Sequence, residues 1–286
     1  MDVHAYMAER VPMIDAAIEA RFEELAALPA TLRGAMRHLL FPGGKRLRPI
    51  FALATAEAVG GTPASAMPIA VAIELVHTYS LIHDDLPCMD DDAIRRGRPT
   101  VHVAYGEATA VLAGDALLTE AFAVLTAEGN RVADPEAVLF AVRRLAAAAG
   151  AGGLVGGQVD DLLFSSSVTS SQGTDHARLA SIHARKTAAL FSAAIVGGAA
   201  LAGASESECA TFEAFSMDVG IAFQIADDLL DADSEEAASI LRLQGLEDAK
   251  QGAEGLLDRA LLRIEDLCER AEPLRELARF AVRRKQ

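Results

Sequence analysis

The sequence predicts an all-α protein, one large helical bundle that forms a single domain over residues 1–286. Alanine and leucine dominate, and strong helix formers fill most windows of the chain. Alternating β-branched runs, which are typical of strands, are nearly absent. The chain is 51% hydrophobic over 286 residues, and its composition shows no change that would divide it. A chain of this length can bury a sizeable core.

Five stretches predict long helices, in chain order 69–83, 107–125, 136–164, 176–203 and 212–232. Several are apolar nearly all round, which favours central positions in the bundle. Glycine, proline and small polar residues mark the breaks between them. These breaks are predicted at 41–49, 59–68, 95–100, 130–136, 165–173 and 202–208.

Charge and cysteine content restrict the partners and the compartment. The net charge of −15 and the pI of about 4.9 argue against a nucleic acid as the main partner, because phosphate backbones need a basic field. A small anionic substrate needs only a local basic pocket. The three cysteines form no zinc spacing and no disulfide framework. The N-terminus lacks a signal-peptide core, and the apolar stretches contain glycines. We expect a cytoplasmic protein with no membrane span.

An acidic stripe lies in the last long helix, in FQIADDLLDAD. On a helix, Gln224, Asp227, Asp228 and Asp231 share one face, because they follow the spacing i, i+3, i+4 and i+7. Apolar residues flank them. A solvated face normally mixes in basic residues, yet none lies between Met217 and Ser239. Carboxylates without thiol or imidazole partners suit a hard cation, Mg²⁺ best. An exposed acidic face is the alternative interpretation.

A second acidic group lies in LIHDDLPCMDDD, where Asp84 and Asp85 end an apolar helix. Pro87 disturbs the helix, so that Asp90 can turn back toward Asp84. Alone, this segment would also fit a helix end with a solvated loop. Two aspartate clusters on apolar helices favour a shared role. Facing each other, they would hold several Mg²⁺ ions and clamp a diphosphate between them.

Basic groups flank these clusters and suit diphosphate recognition by charge and fork geometry. FPGGKRLRP has the composition of an anion-binding loop, although a basic surface turn would also explain any one of its cations. Arg95 and Arg96 follow the first cluster, and Lys186 and Thr187 interrupt an apolar helix. His77 lies two helical turns before Asp84. We expect His102 and His183 to be structural.

The motifs GGKRLRP, HTYSLIHDDLPCMD, RRGRP, LAGDALL, GGQVDD, HARKTAAL and AFQIADDLLD occur in this order. Together they resemble the trans-isoprenyl diphosphate synthases, and more narrowly the bacterial short-chain farnesyl/geranylgeranyl diphosphate synthase type. The likeness covers roughly the first four-fifths of the chain. It implies an isoprenoid synthase bundle around a central apolar cavity, a homodimer, and three Mg²⁺ ions per site with substrate bound. The substrates implied are isopentenyl diphosphate and an allylic diphosphate, dimethylallyl or geranyl.

The resemblance also implies a role for each motif position. The implied metal ligands are Asp84, Asp85, Asp90, Asp227 and Asp228, with Asp231 close by. The allylic diphosphate would contact Arg95, Lys186, Thr187 and Gln224. Isopentenyl diphosphate would contact Gly44, Lys45, Arg48, His77 and Arg96.

Product length is implied by the residues before Asp84. The family places its chain-length stop at the position of Tyr79, about 7.5 Å before Asp84 along the helix axis. A tyrosine there, beside the small Ser80, favours a C15 product. If Tyr79 is an ordinary core aromatic, a C20 product remains open.

The chain departs from the family pattern after Asp231, where a glycine- and lysine-rich lid loop is expected. Here the sequence continues DADSEEAASILRLQGLEDAK, and the first lysine after Lys186 is Lys250. A missing lid would weaken closure over the diphosphate. A non-catalytic subunit or diphosphate-binding partner is therefore an alternative. A class I terpene cyclase is another, although Lys45, Arg48 and His77 have no obvious role there.

Overall fold

The computed structural model describes residues 1–166, 172–230, 245–267 and 269–283. Most of these residues lie in helices. The helices are α1 (Val3–Glu24), α2 (Ala30–Arg37), α3 (Leu47–Ala58), α4 (Pro63–Asp84), α5 (Val101–Tyr105), α6 (Glu107–Val132), α7 (Pro135–Ala149), α8 (Leu154–Ser166), α9 (Gln172–His183), α10 (Ala189–Leu201), α11 (Glu206–Leu230), α12 (Leu246–Arg263) and α13 (Glu272–Arg283). A π-helical turn, Ala184–Ala188, joins α9 to α10, and a short 3₁₀ turn, Glu269–Ala271, precedes α13. The prediction of an all-α protein is confirmed.

Proline and glycine set several of the helix boundaries. Helices α4 and α7 begin with Pro63 and Pro135 after a residue in extended conformation. Proline suits this position because its missing N–H would have no partner in the first turn. Gly106, with φ of 88°, separates α5 from α6 in a conformation that other residues rarely adopt. The chain therefore turns at Gly106, between the short α5 and the long α6.

Helix α10 forms the centre of the bundle. Every residue from Leu190 to Leu201 is buried, so the helix is apolar on all sides. It packs against α3, α4, α7 and α11, while α4 also packs along α6. Gly198 allows the closest approach, because a Cβ atom there would lie 2.5 Å from the carbonyl oxygen of Ala52 on α3. The central position predicted for the apolar helices is thus observed for α10 and for most of α4.

The prediction of one helix over 136–164 is wrong, because the chain breaks between α7 and α8. Gly150 ends α7 in an extended conformation. A Cβ atom on Gly153 would lie 2.2 Å from the carbonyl oxygen of Ala148. The glycines of this stretch let the backbone fold tightly where a longer side chain would collide. Helix α8 consequently takes a direction of its own and brings Asp161 to Lys186.

The RRGRP motif forms a small antiparallel hairpin, with β1 (Ile94–Arg95) paired to β2 (Arg98–Pro99). Arg96 and Gly97 occupy its turn, with φ of 53° and 72°. Positive φ at both central residues is the pattern of a type I′ turn, which matches the twist of the paired strands. The hairpin consequently fixes the direction of each arginine.

By length and composition alone, three stretches are apolar enough to cross a membrane: Pro63–Asp84, Glu107–Val132 and Pro135–Phe164, the last of which covers α7, the break after it and α8. In the first, 78% of the apolar window is buried inside the bundle, against 39% in the other two. The absence of a membrane span therefore stays a prediction.

Candidate active site

A basic cleft of about 530 Å³ opens at the end of the bundle where α3 begins and α4 approaches its C-terminus. The FPGGKRLRP segment, the RRGRP hairpin and part of α4 surround it. The described lining residues are His38, Leu39, Pro42, Gly43, Gly44, Lys45, Arg46, Leu47, Arg48, Glu74, His77, Arg95, Arg96, Arg98 and Phe223. All five residues expected to contact isopentenyl diphosphate are among them.

Close packing between backbone and guanidinium groups shapes the loop at the cleft. A Cβ atom on Gly44 would lie 2.8 Å from Nη2 of Arg96. Arg96 in turn donates from Nη1 to the carbonyl oxygen of Leu39 at 3.1 Å. Arg98 donates to the carbonyl oxygens of Phe41 and His38, at 2.8 and 3.2 Å. The hairpin arginines therefore help to hold the loop, in addition to lining the cleft.

Arg48 and His77 form the inner wall of the cleft. The Arg48 guanidinium lies over the ring of Phe191, 4.8 Å from its centroid, and its Nη1 is 3.5 Å from Nε2 of His77. Burial and the nearby charge of Arg48 hold the pKa of His77 well below its usual 6.5. His77 is consequently a neutral hydrogen-bonding group at neutral pH, and the positive charge of this wall comes from arginine.

The first aspartate cluster is shaped by a turn at the end of α4. The backbone N–H of Asp90 donates to the carbonyl oxygen of Asp84 at 2.9 Å, so the chain folds back after Pro87. Burial raises the pKa of Asp84 to about 6, with a further contribution from the charge of Asp90. Asp85 is fully buried and accepts a hydrogen bond from Nε of Arg95. Its Oδ2 atom is buried without a hydrogen-bond partner.

Lys186 lies among the acids of this cluster. Its Nζ atom is 2.6 Å from Asp161 on α8. Burial opposes the ammonium charge, but the carboxylates of Asp161, Asp84 and Asp90 together raise the pKa of Lys186. The lysine ammonium consequently occupies the part of the site where a cation is most stabilised.

The second aspartate motif is connected to the same π-helical turn. Thr187 donates from Oγ1 to Oε1 of Gln224 at 2.6 Å, and Gln224 donates from Nε2 to Oδ1 of Asp228 at 2.8 Å. Nε2 of His183 lies 3.3 Å from Oδ2 of Asp228, without the alignment of a hydrogen bond. Adjacent residues, Lys186 and Thr187, thus face the two acidic motifs. His183 is buried beside a predicted ligand, a proximity that its sequence position did not indicate.

Within the described ranges, no group of three or more histidine, cysteine, aspartate or glutamate side chains is close enough to hold a metal ion by itself. Basic side chains partner the carboxylates instead, Arg95 with Asp85 and Asp92, and Lys186 with Asp161. Mg²⁺ characteristically binds to one or two carboxylates together with substrate phosphate oxygens. The donor set fits this mode, because it is all oxygen and includes the partnerless buried Oδ2 of Asp85.

Two predicted parts of the site lie outside the described residues, and one acid of the site was not predicted. Asp231 and the segment where the lid loop is expected lie outside the described residues. Asp161 received no role from its motif, GGQVDD, although an acid in an apolar helix was the signal used for Asp84. Nothing in the sequence placed a cation beside Asp161, since Lys186 is 25 residues away along the chain.

The arrangement has close counterparts among known proteins. A family model described as polyprenyl synthetase matches residues 29–256. This chain belongs to the polyprenyl synthetase family. The farnesyl diphosphate synthase of Bacillus subtilis (strain 168) is 44% identical over 232 residues, covering 81% of this chain and 76% of the relative. Geranylgeranyl pyrophosphate synthase 11 of Arabidopsis thaliana, a chloroplastic protein, is 41% identical over 294 residues, covering 98% and 81%.

Solved structures of the polyprenyl synthetase family share the fold. The apo structure of an FPP/GFPP synthase from Zymomonas mobilis superposes with a TM-score of 0.88 at 38% identity, covering 98% of this chain and 99% of that one. The predicted family and the predicted isoprenoid synthase bundle are confirmed. The chain is a short-chain trans-prenyltransferase. The relatives include both farnesyl and geranylgeranyl synthases, so they do not decide the product.

Proposed function

We propose that this prenyltransferase condenses isopentenyl diphosphate with dimethylallyl or geranyl diphosphate in a Mg²⁺-dependent reaction, and that its product is farnesyl diphosphate (C15). The main observation behind this proposal is the π-helical turn beside the basic cleft. It places Lys186 near the first aspartate motif and Thr187 near the second. Two anionic substrates can thus bind next to each other, one through metal and one through arginine and lysine. A homodimer in the cytoplasm stays our prediction.

The allylic diphosphate would bind between the aspartate motifs. In this proposal Asp84, Asp85, Asp90, Asp227 and Asp228 hold Mg²⁺, with Asp231 close by. When bound, Mg²⁺ neutralises the diphosphate and makes it a better leaving group. Asp84, with its pKa of about 6, favours a divalent cation, because a cation offsets the cost of burying its charge.

Basic and polar side chains on the allylic side would grip the same diphosphate. Binding of the diphosphate would replace the ion pairs of Lys186 with Asp161 and of Arg95 with Asp92. Both cations are only part-buried, so these pairs can be exchanged for a better partner. Thr187 and Gln224 are already hydrogen-bonded to each other and need only reorient. The protein supplies positioning and charge, and no nucleophilic side chain is required.

Isopentenyl diphosphate would occupy the basic cleft, with its diphosphate held by Gly44, Lys45, Arg48, His77 and Arg96. Breaking the allylic C–O bond releases diphosphate and leaves an allylic carbocation. The isopentenyl double bond attacks this carbon, and the proton then lost is taken up by the released diphosphate. Phe223 lies between the cleft and the second aspartate motif, and an apolar wall there helps to exclude water.

Tyr79 supports the C15 product. It is 4% exposed on α4, its hydroxyl lacks a hydrogen-bond partner, and burial with the charge of Asp84 raises its pKa to about 12. A bulky ring beside Ser80, about 7.5 Å before Asp84 along the helix axis, would stop a growing chain early. Geranylgeranyl diphosphate (C20) is the alternative, because geranylgeranyl synthases are also among the relatives.

The direct test is to incubate the protein with isopentenyl diphosphate and each allylic primer, with Mg²⁺ and with EDTA. Product chromatography after dephosphorylation should show a C15 alcohol formed only with Mg²⁺ and both substrates. Turnover of the allylic substrate alone to a hydrocarbon would indicate a cyclase. Binding of both substrates without turnover would indicate the diphosphate-binding alternative, and a C20 alcohol would replace the C15 assignment.

The product-length assignment predicts the effect of Tyr79→Ala. Removing the ring leaves an empty space beside Ser80 for a longer prenyl chain, so the products should shift from C15 to C20 or longer. The same chromatography measures the shift, with Tyr105→Ala, a part-buried tyrosine at the end of α5, as the tyrosine control. An unchanged C15 product from the Tyr79 variant would contradict the assignment.

A further inference from the structure

Arg46 has an environment unlike that of the other cations of the basic cleft. Its side chain is 0% exposed, and Nη1 lies 2.6 Å from Oε1 of Glu74, which is itself 3% exposed. Nε lies 2.9 Å from Oδ1 of Asp15 on α1, and Nη2 donates to the carbonyl oxygen of Leu40. Three separate segments of the chain therefore converge on one guanidinium.

Glu74 is the only acidic side chain among the described residues that line the cleft. A free carboxylate there would repel a diphosphate. Its short, buried contact with Arg46 gives the pair a net charge near zero. Breaking such a pair leaves an uncompensated buried charge, so both partners are expected to keep their geometry.

The loop conformation depends on where Arg46 is held. Arg46 has φ of 51°, in the left-handed region that non-glycine residues rarely occupy. A Cβ atom on Gly43 would lie 2.1 Å from the guanidinium carbon of Arg46, so the loop wraps closely around this side chain. Lys45 precedes Arg46 and Arg48 follows two residues later, both on the cleft. Their directions consequently depend on the anchoring of Arg46.

We propose that Glu74 and Asp15 are positioning residues that, through Arg46, set the loop bearing Lys45 and Arg48 for isopentenyl diphosphate. This inference rests on the proposed function of the cleft. Neither acid contacts the substrate. Their effect is on one substrate only, because the allylic contacts Lys186, Thr187 and Gln224 lie on the π-helical turn and α11, away from the loop that Arg46 holds.

The test compares Glu74→Gln with Glu57→Gln by steady-state kinetics with both substrates varied. Glu57 is a matched control, because it also forms an ion pair with an arginine, Arg10 at 2.7 Å, and ties α1 to α3 away from the cleft. We expect Glu74→Gln to raise the KM for isopentenyl diphosphate about tenfold, equivalent to ~1.4 kcal/mol, and to leave the allylic KM within about twofold. Glu57→Gln should lower the Tm and leave both KM values unchanged. Glu74→Asp, which keeps the charge, should recover part of the lost affinity.

A positioning role should raise the KM for isopentenyl diphosphate alone, whereas a general loss of stability would affect the KM values of both substrates. An unchanged isopentenyl KM in Glu74→Gln, or equal rises in both KM values, would overturn the proposal. If that variant does not fold, Asp15→Asn replaces it, because Asp15 is 35% exposed and its loss removes only the outer contact. A selective rise in the isopentenyl KM of about threefold is then expected, and no selective rise counts against the proposal.

A failure of the proposed function can be distinguished from a failure of the positioning role by measuring binding instead of turnover. If the wild type forms no longer prenyl chain, calorimetric titration with isopentenyl diphosphate still measures the cleft. Weaker binding to Glu74→Gln than to Glu57→Gln would retain the positioning role without the reaction. Equal binding of isopentenyl diphosphate to both variants would rule out the positioning role of Glu74.

Discussion

The basic cleft and the acidic site lie side by side but are prepared for their ligands in opposite ways. In the cleft, Arg46, Arg96 and Arg98 are bound to buried carboxylates or backbone carbonyls, so the loop is held before any ligand arrives. In the acidic site, the proposed substrate cations Arg95 and Lys186 are instead paired with the carboxylates of Asp85 and Asp161.

This difference shows that ion pairs of the same residue types can either hold a loop in place or give way to a ligand. A buried ion pair such as Arg46–Glu74 is costly to break and therefore fixes a shape. A part-exposed pair such as Lys186–Asp161 is weaker and can be replaced by a better partner. The cleft is thus preformed, whereas the internal ion pairs of the acidic site are those that the proposed Mg²⁺ and diphosphate would replace.

The strongest test of this contrast is Asp84→Asn, which removes charge from the acidic site alone. We expect kcat to fall about 10³-fold, because the charge acts on the leaving group in the transition state. Binding of isopentenyl diphosphate to the cleft should change little, as measured by calorimetry. Asp248→Asn on the exposed surface of α12 controls for the altered net charge. Equal losses of turnover and of isopentenyl binding would contradict the separation of the two regions.

A second test moves the cation of the acidic site without changing any charge. A Cβ atom on Gly157 would lie 2.6 Å from the backbone nitrogen of Lys186, so Gly157→Ala must displace the π-helical turn. We expect kcat/KM for the allylic substrate to fall roughly 10²-fold, the cost of about 1 Å of misplacement.

Gly252→Ala is the matched control for this test. Gly252 lies in α12 with no neighbouring atom within 4 Å of an added Cβ, so the change should stabilise the helix by roughly 0.8 kcal/mol and leave the kinetics unchanged. Wild-type allylic kinetics in Gly157→Ala would show that the position of Lys186 is not critical.

The smallest predicted effect is on stability and depends on pH. The pKa of Asp84 is about 6 in the folded protein against 3.8 ordinarily, so the folded state binds the proton more tightly. The free energy of unfolding contributed by this group is therefore greatest below about pH 4 and falls as the pH rises to about 6. Asp84→Asn, which never ionises, should be more stable than the wild type by about 2 kcal/mol at pH 7.5 and about equal at pH 4.

Urea unfolding in EDTA at pH 4, 5.5 and 7.5 measures this difference. Asp248→Asn is the control for the loss of one carboxylate from the exposed surface of α12. A constant difference between Asp84→Asn and the wild type at all three values would show that the charge of Asp84 carries no folding cost.

Much of the fold followed from local signals. Helix formers and glycine-rich breaks placed most of the long helices, because these effects act within a few residues. The start of α4 was expected at Ile69 after a break over 59–68, whereas the helix begins at Pro63, since proline suits a first turn. The break between α7 and α8 was missed, since the apolar pattern continues through glycines that permit a helix as readily as a turn. The turn is made by contacts such as that of Gly153 with the carbonyl of Ala148.

The sequence by itself determined the helical class, the family motifs and the residue types available for a diphosphate site. Only the tertiary structure decided which charges meet. Lys186 faces Asp161 across 25 residues of sequence, and Arg46 meets Glu74 across 28. Spacing along one helix predicts a shared face, but pairing between helices depends on packing angles and close approaches that arise only when the whole bundle is assembled.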